Sequence, residues 1–193
     1  MIPSQPSTLL PSLFEHIDEG RRLTVLHVGS ALPETVDFFS RYRCKLHFVD
    51  LFGDLPGLVP GDDATESLAQ KFLESMHIPE GTRFDLCLFW DLFNFLEREA
   101  VAAMVQTLKP HLQDSTLAHG FAVHSLKTPQ SGKVYGIREL QEISVRPRPA
   151  PLPGYNPRNQ GQLERMLDCF SVTRSVLLPE GRLELLLRAQ VKA

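Results

Sequence analysis

The chain has 193 residues, of which 42% are hydrophobic and 22% charged, a balance that suits one packed domain of ordinary size. Its formal net charge of −3 speaks against a dedicated nucleic-acid binder, which carries a basic surplus. Three cysteines, Cys44, Cys87 and Cys169, are odd in number and widely spaced within apolar stretches, so reduced thiols in a cytoplasmic protein are expected rather than a disulfide framework.

The start, MIPSQPSTLLPSLFEHIDEG, has no positive region and no long apolar run, so no signal peptide is expected. No stretch reaches the roughly 18–20 apolar residues of a membrane span. Residues 1–8 read as a loose tail. Leu10, Leu13, Phe14 and Ile17 recur at helical spacing before Gly20, which predicts an amphipathic opening helix. The division is then 1–20 for tail and opening helix, and 21–193 for a single domain.

Thr24 to Gly29 is apolar and rich in β-branched residues, which predicts a buried strand. A helix follows over about 33–42, with Pro33 in the first turn, where its missing N–H costs nothing. Lys45 to Asp50 reads as the second strand. Leu51 to Asp62, with its glycines and prolines, reads as a loop, and 63–76 as a helix with Leu68, Phe72, Leu73 and Met76 on one face. FDLCLFWD (84–91) is the strongest strand signal, because Leu86 to Trp90 are all apolar, as in a parallel sheet covered on both faces. Glu97 to Lys109 reads as a helix stopped by Pro110, and Ser115 to Ser125 as a strand. Thr128 to Arg138, polar with Gly132 and Gly136, reads as a loop. RPRPAPLPGYNPRNQG (146–161) holds five prolines and is not expected to form regular helix or an inner strand. Asn159 to Asp168 reads as the last helix. FSVTRSVLL-PEG-RLELLLRA (170–189) reads as two strands around a short turn.

Strands alternating with helices predict an α/β fold with a mostly parallel sheet, and the closing hairpin adds an antiparallel strand. With that order of elements the chain resembles the class I S-adenosylmethionine-dependent methyltransferases, over about residues 20–189. The resemblance implies a three-layer Rossmann-like fold ending in an antiparallel C-terminal hairpin. The family's first motif is a strand, an acidic residue and a Gly-x-Gly-x-Gly run. Here Gly29 matches the first glycine, Ala31 and Pro33 stand at the other two, and His27 replaces the acidic residue. Asp50, 21 residues after Gly29, matches the acidic residue that accepts hydrogen bonds from the ribose hydroxyls. FDLCLFWDLFNFL resembles the fourth motif, and LKPHLQDSTLAHGF (108–121) the helix-then-strand passage after it.

The resemblance implies S-adenosylmethionine as cofactor, with His27, Gly29, Ser30, Asp50, Leu51, Trp90 and Asp91 around it. Asp91 is a catalytic candidate that orients the methionine ammonium or serves as a base; its other reading is a turn or cap before Leu92. Asp50 is either the ribose clamp or a turn residue. His27 is either a neutral hydrogen-bonding group or a satisfied strand histidine, and Trp90 either lines the pocket or packs the core. Asn94, Arg146, Arg148 and Tyr155 are candidates for contact with the methyl acceptor, a small molecule or a protein, with Arg138 and Arg158 beside them. The proline-rich 146–158 segment is either a surface loop or a docking site for a protein partner. His119 and His124 point to opposite faces of a strand, and no spacing suggests a metal site.

The missing glycines divide the functional reading. Glu34 at the head of the first helix disfavours a pyrophosphate and tolerates a cationic sulfonium, so NAD and FAD are less expected than S-adenosylmethionine. The first reading is a methyltransferase of unknown acceptor. The alternative is a catalytically inactive methyltransferase fold that serves as an interaction or regulatory module.

Overall fold

The structure is a computed structural model that describes residues 3–18, 20–59 and 67–191. Strand β1 (Ser4–Pro6) leads into a 3-10 turn over Leu10–Leu13, then β2 (Leu23–Val28), α1 (Pro33–Phe39) and β3 (Cys44–Val49). Helix α2 (Leu51–Asp54), α3 (Leu68–Met76), β4 (Leu86–Trp90), α4 (Arg98–Leu108) and β5 (Leu117–Val123) follow. The chain ends with β6 (Lys133–Glu139), β7 (Glu142–Pro147), α5 (Gln160–Met166), β8 (Phe170–Leu177) and β9 (Arg182–Ala189).

Six strands form the main sheet in the order β3-β2-β4-β5-β9-β8. The first four are parallel, and β9 runs antiparallel to both β5 and β8. The apolar run of β4 divides by alternation. Leu86, Leu88 and Trp90 enter one core with Phe38, Phe39 and Phe121, while Cys87 and Phe89 enter the other with Phe72, Met104 and Leu108. This is the three-layer arrangement that the element order predicts.

Four expectations are corrected. The stretch read as a loop over 128–138 contains β6, which pairs with β7 in an antiparallel hairpin joined by Leu140 and Gln141. The tail read as loose contributes β1, which adds to the outer edge of β7, so the second sheet has the order β1-β7-β6. Ser4–Pro6 carries no strand signal of its own; its pairing comes from the free edge that β7 offers. The loop read at 51–62 opens with α2 and a 3-10 turn over Leu55–Gly57; residues 60–62 of it, and 63–66 of the following helix, lie outside the described residues. The opening helix is shorter than its periodicity suggests, a single 3-10 turn in which Pro11 sits near the start.

The hairpin β6–β7 is built into the body. Tyr135, Ile137 and Ile143 are fully or almost fully buried in the same core as Trp90 and Phe38. Burying such side chains contributes about 1.5–3 kcal/mol each. Its backbone lies against the head of α1, and a Cβ at Gly136 would overlap the Thr35 hydroxyl and press on Leu32. That close approach explains why a glycine stands mid-strand, a position where it otherwise weakens pairing. Thr35 Oγ1 uses the same contact to accept from the Ile137 amide at 3.0 Å.

Candidate functional site

Parallel pairing sets the site. Val28 lies opposite Val49, so Gly29 and Asp50 leave the sheet side by side at its carboxyl edge. Gly29 has φ of +122°, which favours glycine, and its amide donates to the Val49 carbonyl at 2.8 Å. Trp90 ends the neighbouring strand with φ of +53°, an uncommon conformation for a bulky residue that occurs where the ladder between β4 and β5 shifts register.

Asp50 has two partners. Its Oδ2 accepts from the Ser30 hydroxyl at 3.0 Å and its Oδ1 from the Gly53 amide at 3.3 Å, so it caps α2. The carboxylate remains exposed. Leu51, the next residue, is buried and points away into the core.

His27 is fully buried, and burial lowers its pKa from 6.5 to about 4. The ring is therefore neutral. Its Nε2 accepts from Trp90 Nε1 at 3.3 Å, which leaves the proton on Nδ1, a buried atom without a partner. The Trp90 indole then stacks on Tyr135 of β6, with ring centroids 5.7 Å apart and planes 21° apart. Trp90 is thus both pocket wall and core residue.

The head of α1 faces the hairpin. Glu34 accepts from Arg146 in a two-pronged pair, Nε to Oε1 at 3.0 Å and Nη2 to Oε2 at 2.6 Å, and from the Ser144 hydroxyl. Burial opposes its ionisation, but these hydrogen bonds prevail and hold the carboxyl below its usual range. Arg148 lies over the Phe52 ring, 4.5 Å from its centroid. Arg41, just past the end of α1, and Glu139, at the end of β6, add an exposed pair.

Asp91 is buried, and burial raises its pKa although the Ser131 hydroxyl, Arg148 and Arg182 act against the shift. Its Oδ2 accepts from Ser131 at 2.9 Å, while Oδ1 is buried without a partner. Asn94 is used up by the backbone. Its amide donates to the Asp91 and Phe121 carbonyls, and its Oδ1 accepts from the Arg158 amide. Tyr155 donates its hydroxyl to the Thr128 carbonyl at 2.7 Å and packs on Phe95. The sequence thus names these residues, and the structure brings Gly29, Ser30, Asp50, Trp90 and Arg148 together around one cavity. Arg146 is not among its lining residues and pairs with Glu34 instead. Asn94 is buried and holds the chain, and Tyr155, half-buried, does the same through its hydroxyl. The proline-rich segment is clamped too, through Gln130 to both backbone groups of Leu152 and through the Asn156 amide to the Asn94 carbonyl.

That cavity, lined by Val28, Gly29, Ser30, Asp50, Phe52, Trp90, Val134, Tyr135 and Arg148, has a free volume of about 10 Å³. This is about the space of one water molecule. Val134 and Tyr135 were missed by sequence reasoning, because the hairpin that carries them was read as a loop. The alternation of Tyr135, Ile137, Ile143 and Val145 about a polar turn was the signal available.

No family model matches the chain, and no curated protein matches it. Solved structures do. It is similar to the 1,6-didemethyltoxoflavin-N1-methyltransferase of Burkholderia thailandensis, solved with its substrate and S-adenosylhomocysteine, at TM-score 0.52 and 15% identity, covering 94% of this chain and 77% of that one. The chain has the class I methyltransferase fold. The glycopeptide N-methyltransferase MtfA shares that fold at TM-score 0.51 and 9% identity, covering 96% of this chain and 97% of that one. A pericyclic reaction enzyme is also similar, at TM-score 0.52 and 11% identity, covering 94% of this chain but 47% of that one. The methyltransferase fold accordingly hosts more than one chemistry, and the site has to carry the functional argument.

Set against that site, S-adenosylmethionine does not fit. Small-molecule pockets typically enclose about 300–1,000 Å³, and here the space beside Gly29 and Asp50 is filled by Trp90, Tyr135, Val134 and Arg148.

Proposed function

We propose that the chain is a non-catalytic methyltransferase-fold protein that works as an interaction or regulatory module, its former cofactor cleft filled by its own hairpin. The observation that carries this reading is the cavity of about 10 Å³ between Gly29, Asp50, Trp90 and Tyr135. Opening it requires Tyr135 and the hairpin around it to leave the core, together with the Glu34–Arg146 pair. An opening cost of about 4 kcal/mol alone would weaken any ligand about a thousandfold. The absent glycines agree with it, since Ala31 and Pro33 stand where close backbone approach to a ligand is needed.

A second reading has one specific observation in its favour. Asp50 keeps an exposed carboxylate next to Gly29, where a ribose clamp belongs. On that reading the protein transfers a methyl group from S-adenosylmethionine to an unidentified O, N or C acceptor, with β6–β7 displaced. Isothermal calorimetry of the purified protein with S-adenosylmethionine and S-adenosylhomocysteine separates the two. The module reading expects no heat of binding at millimolar ligand. Saturable binding in the micromolar range would replace it with the enzyme reading. The exposed prolines of the 146–158 segment, 147, 149, 151 and 153, remain the surface through which a protein partner is proposed to dock.

A further inference from the structure

A second depression lies at the carboxyl edge of the sheet, between the start of α4 and α5. It is lined by Arg98, Arg158, Gln162, Arg165 and Met166, with a volume of about 350 Å³. That is within the range of small-molecule sites. Its wall holds three guanidinium groups, one amide and one thioether, and no carboxylate. None of the three arginines lies within ion-pairing distance of an acidic group among the described residues. In a chain of net charge −3, such a concentration of unpaired cations is unfavourable unless an anion relieves it.

The arginine at the centre is fixed by its surroundings. The Arg158 amide donates to Asn94 Oδ1 at 2.8 Å, and its carbonyl accepts from the Val123 amide at 2.9 Å. Its Nη2 donates to the Leu96 carbonyl at 3.2 Å, and its Nε is buried without any partner. Burying a donor without an acceptor is costly. Arg98 opens α4 and Arg165 lies in the last turn of α5, both exposed and free to swing toward a ligand. Gln162 spends its Oε1 on the Asn159 amide in a capping box, which leaves its NH₂ as a donor.

We propose that this cleft binds the phosphate group of a small phosphorylated ligand. A planar guanidinium offers paired donors that match phosphate oxygens, and three of them balance a dianion better than a single carboxylate. The cationic surface is a compact depression of small-molecule size, unlike the extended basic stripe that tracks a nucleic-acid backbone. None of its residues lines the cavity beside Gly29, so the inference stands whether or not the module reading does.

The test is calorimetry on the full chain with two probes, inorganic phosphate for a free phosphate and glucose 6-phosphate for a phosphate ester. Saturable binding of either supports the site, and the stronger probe identifies the source. The double variant Arg98→Ala/Arg165→Ala should weaken that binding about tenfold or more, because charge-assisted hydrogen bonds are lost. Arg22→Ala, at the opposite edge of the sheet, should leave it unchanged. Arg165→Gln alone provides the same test if the double variant melts early. The proposal is overturned if neither probe binds at millimolar concentration, or if affinity is the same in the arginine variants. Tighter binding of a single-stranded DNA oligonucleotide, with steep salt dependence, would overturn it in favour of nucleic acid.

Discussion

His27 stands where the class I methyltransferase motif that the sequence resembles has an acid, and its burial gives the fold a titration signature. The folded ring resists protonation down to about pH 4, whereas the unfolded ring takes a proton near 6.5. Between these values the unfolded ring holds the proton and the folded ring does not, so the His27 contribution to stability falls by about 3 kcal/mol as pH drops from about 6.5 toward 4, while Asp91, whose pKa burial raises, works in the opposite sense. Glu34 and Glu184 are held below the usual carboxylate range, the first by Arg146 and Ser144, the second by His119 and Ser7, in both cases against the cost of burial. Their contributions are lost at still lower pH, as those carboxylates protonate. Urea unfolding at a series of pH values should therefore show a slope between pH 6.5 and 4 that His27→Phe flattens, whatever that variant's stability at neutral pH. An unaltered slope would mean that His27 is solvated in the folded state.

Asp50 supports a different prediction from the one its motif suggests. It caps α2 through the Gly53 amide and receives the Ser30 hydroxyl. Asp50→Ala should cost about 1 kcal/mol of stability, the usual loss for a helix cap. A melting temperature equal to the parent's would show that the cap contributes nothing.

At the scale of elements, the parallel strands and their helices are legible because each buried strand is a continuous apolar run and each helix carries one apolar face. The hairpin β6–β7 was not legible for two reasons. Gly132 and Gly136 read as loop punctuation, yet Gly136 is there because α1 comes too close for a side chain. Glu34 read as a charge at a helix head and Arg146 as a contact to the methyl acceptor, yet together with Thr35 and Ser144 they are the joint between helix and hairpin. Sequence spacing across more than 100 residues cannot show that pairing. The joint and the buried Tyr135 and Ile137 predict that the hairpin opens only with the whole fold. Hydrogen exchange should give the Gly136 and Ile137 amides protection equal to that of core strand β4. Exchange of those two amides well ahead of Leu88 would identify the hairpin as a lid that opens by itself.

Across the whole molecule, the fold follows the class I methyltransferases while the cleft departs from them. The order of elements was readable, and so was the cluster of Gly29, Asp50 and Trp90 at the carboxyl edge. What fills the space between them was not readable, because Tyr135 and Val134 arrive from a segment distant in sequence and belong to a separate small sheet. Two of the expected acceptor contacts, Asn94 and Tyr155, hydrogen-bond backbone groups. Fold class is set by local periodicity, and a site is set by what tertiary packing leaves open.

The chain's one tryptophan is Trp90, which lies in the filled cleft and is about 1% exposed. Its fluorescence therefore reports on that cleft alone. The measurement is Trp90 emission during a titration with S-adenosylhomocysteine, with acrylamide quenching recorded alongside. The account predicts blue-shifted emission, weak quenching, and no change in either up to millimolar ligand. A saturable change in emission at micromolar S-adenosylhomocysteine would contradict it, and would show that the hairpin yields to the cofactor.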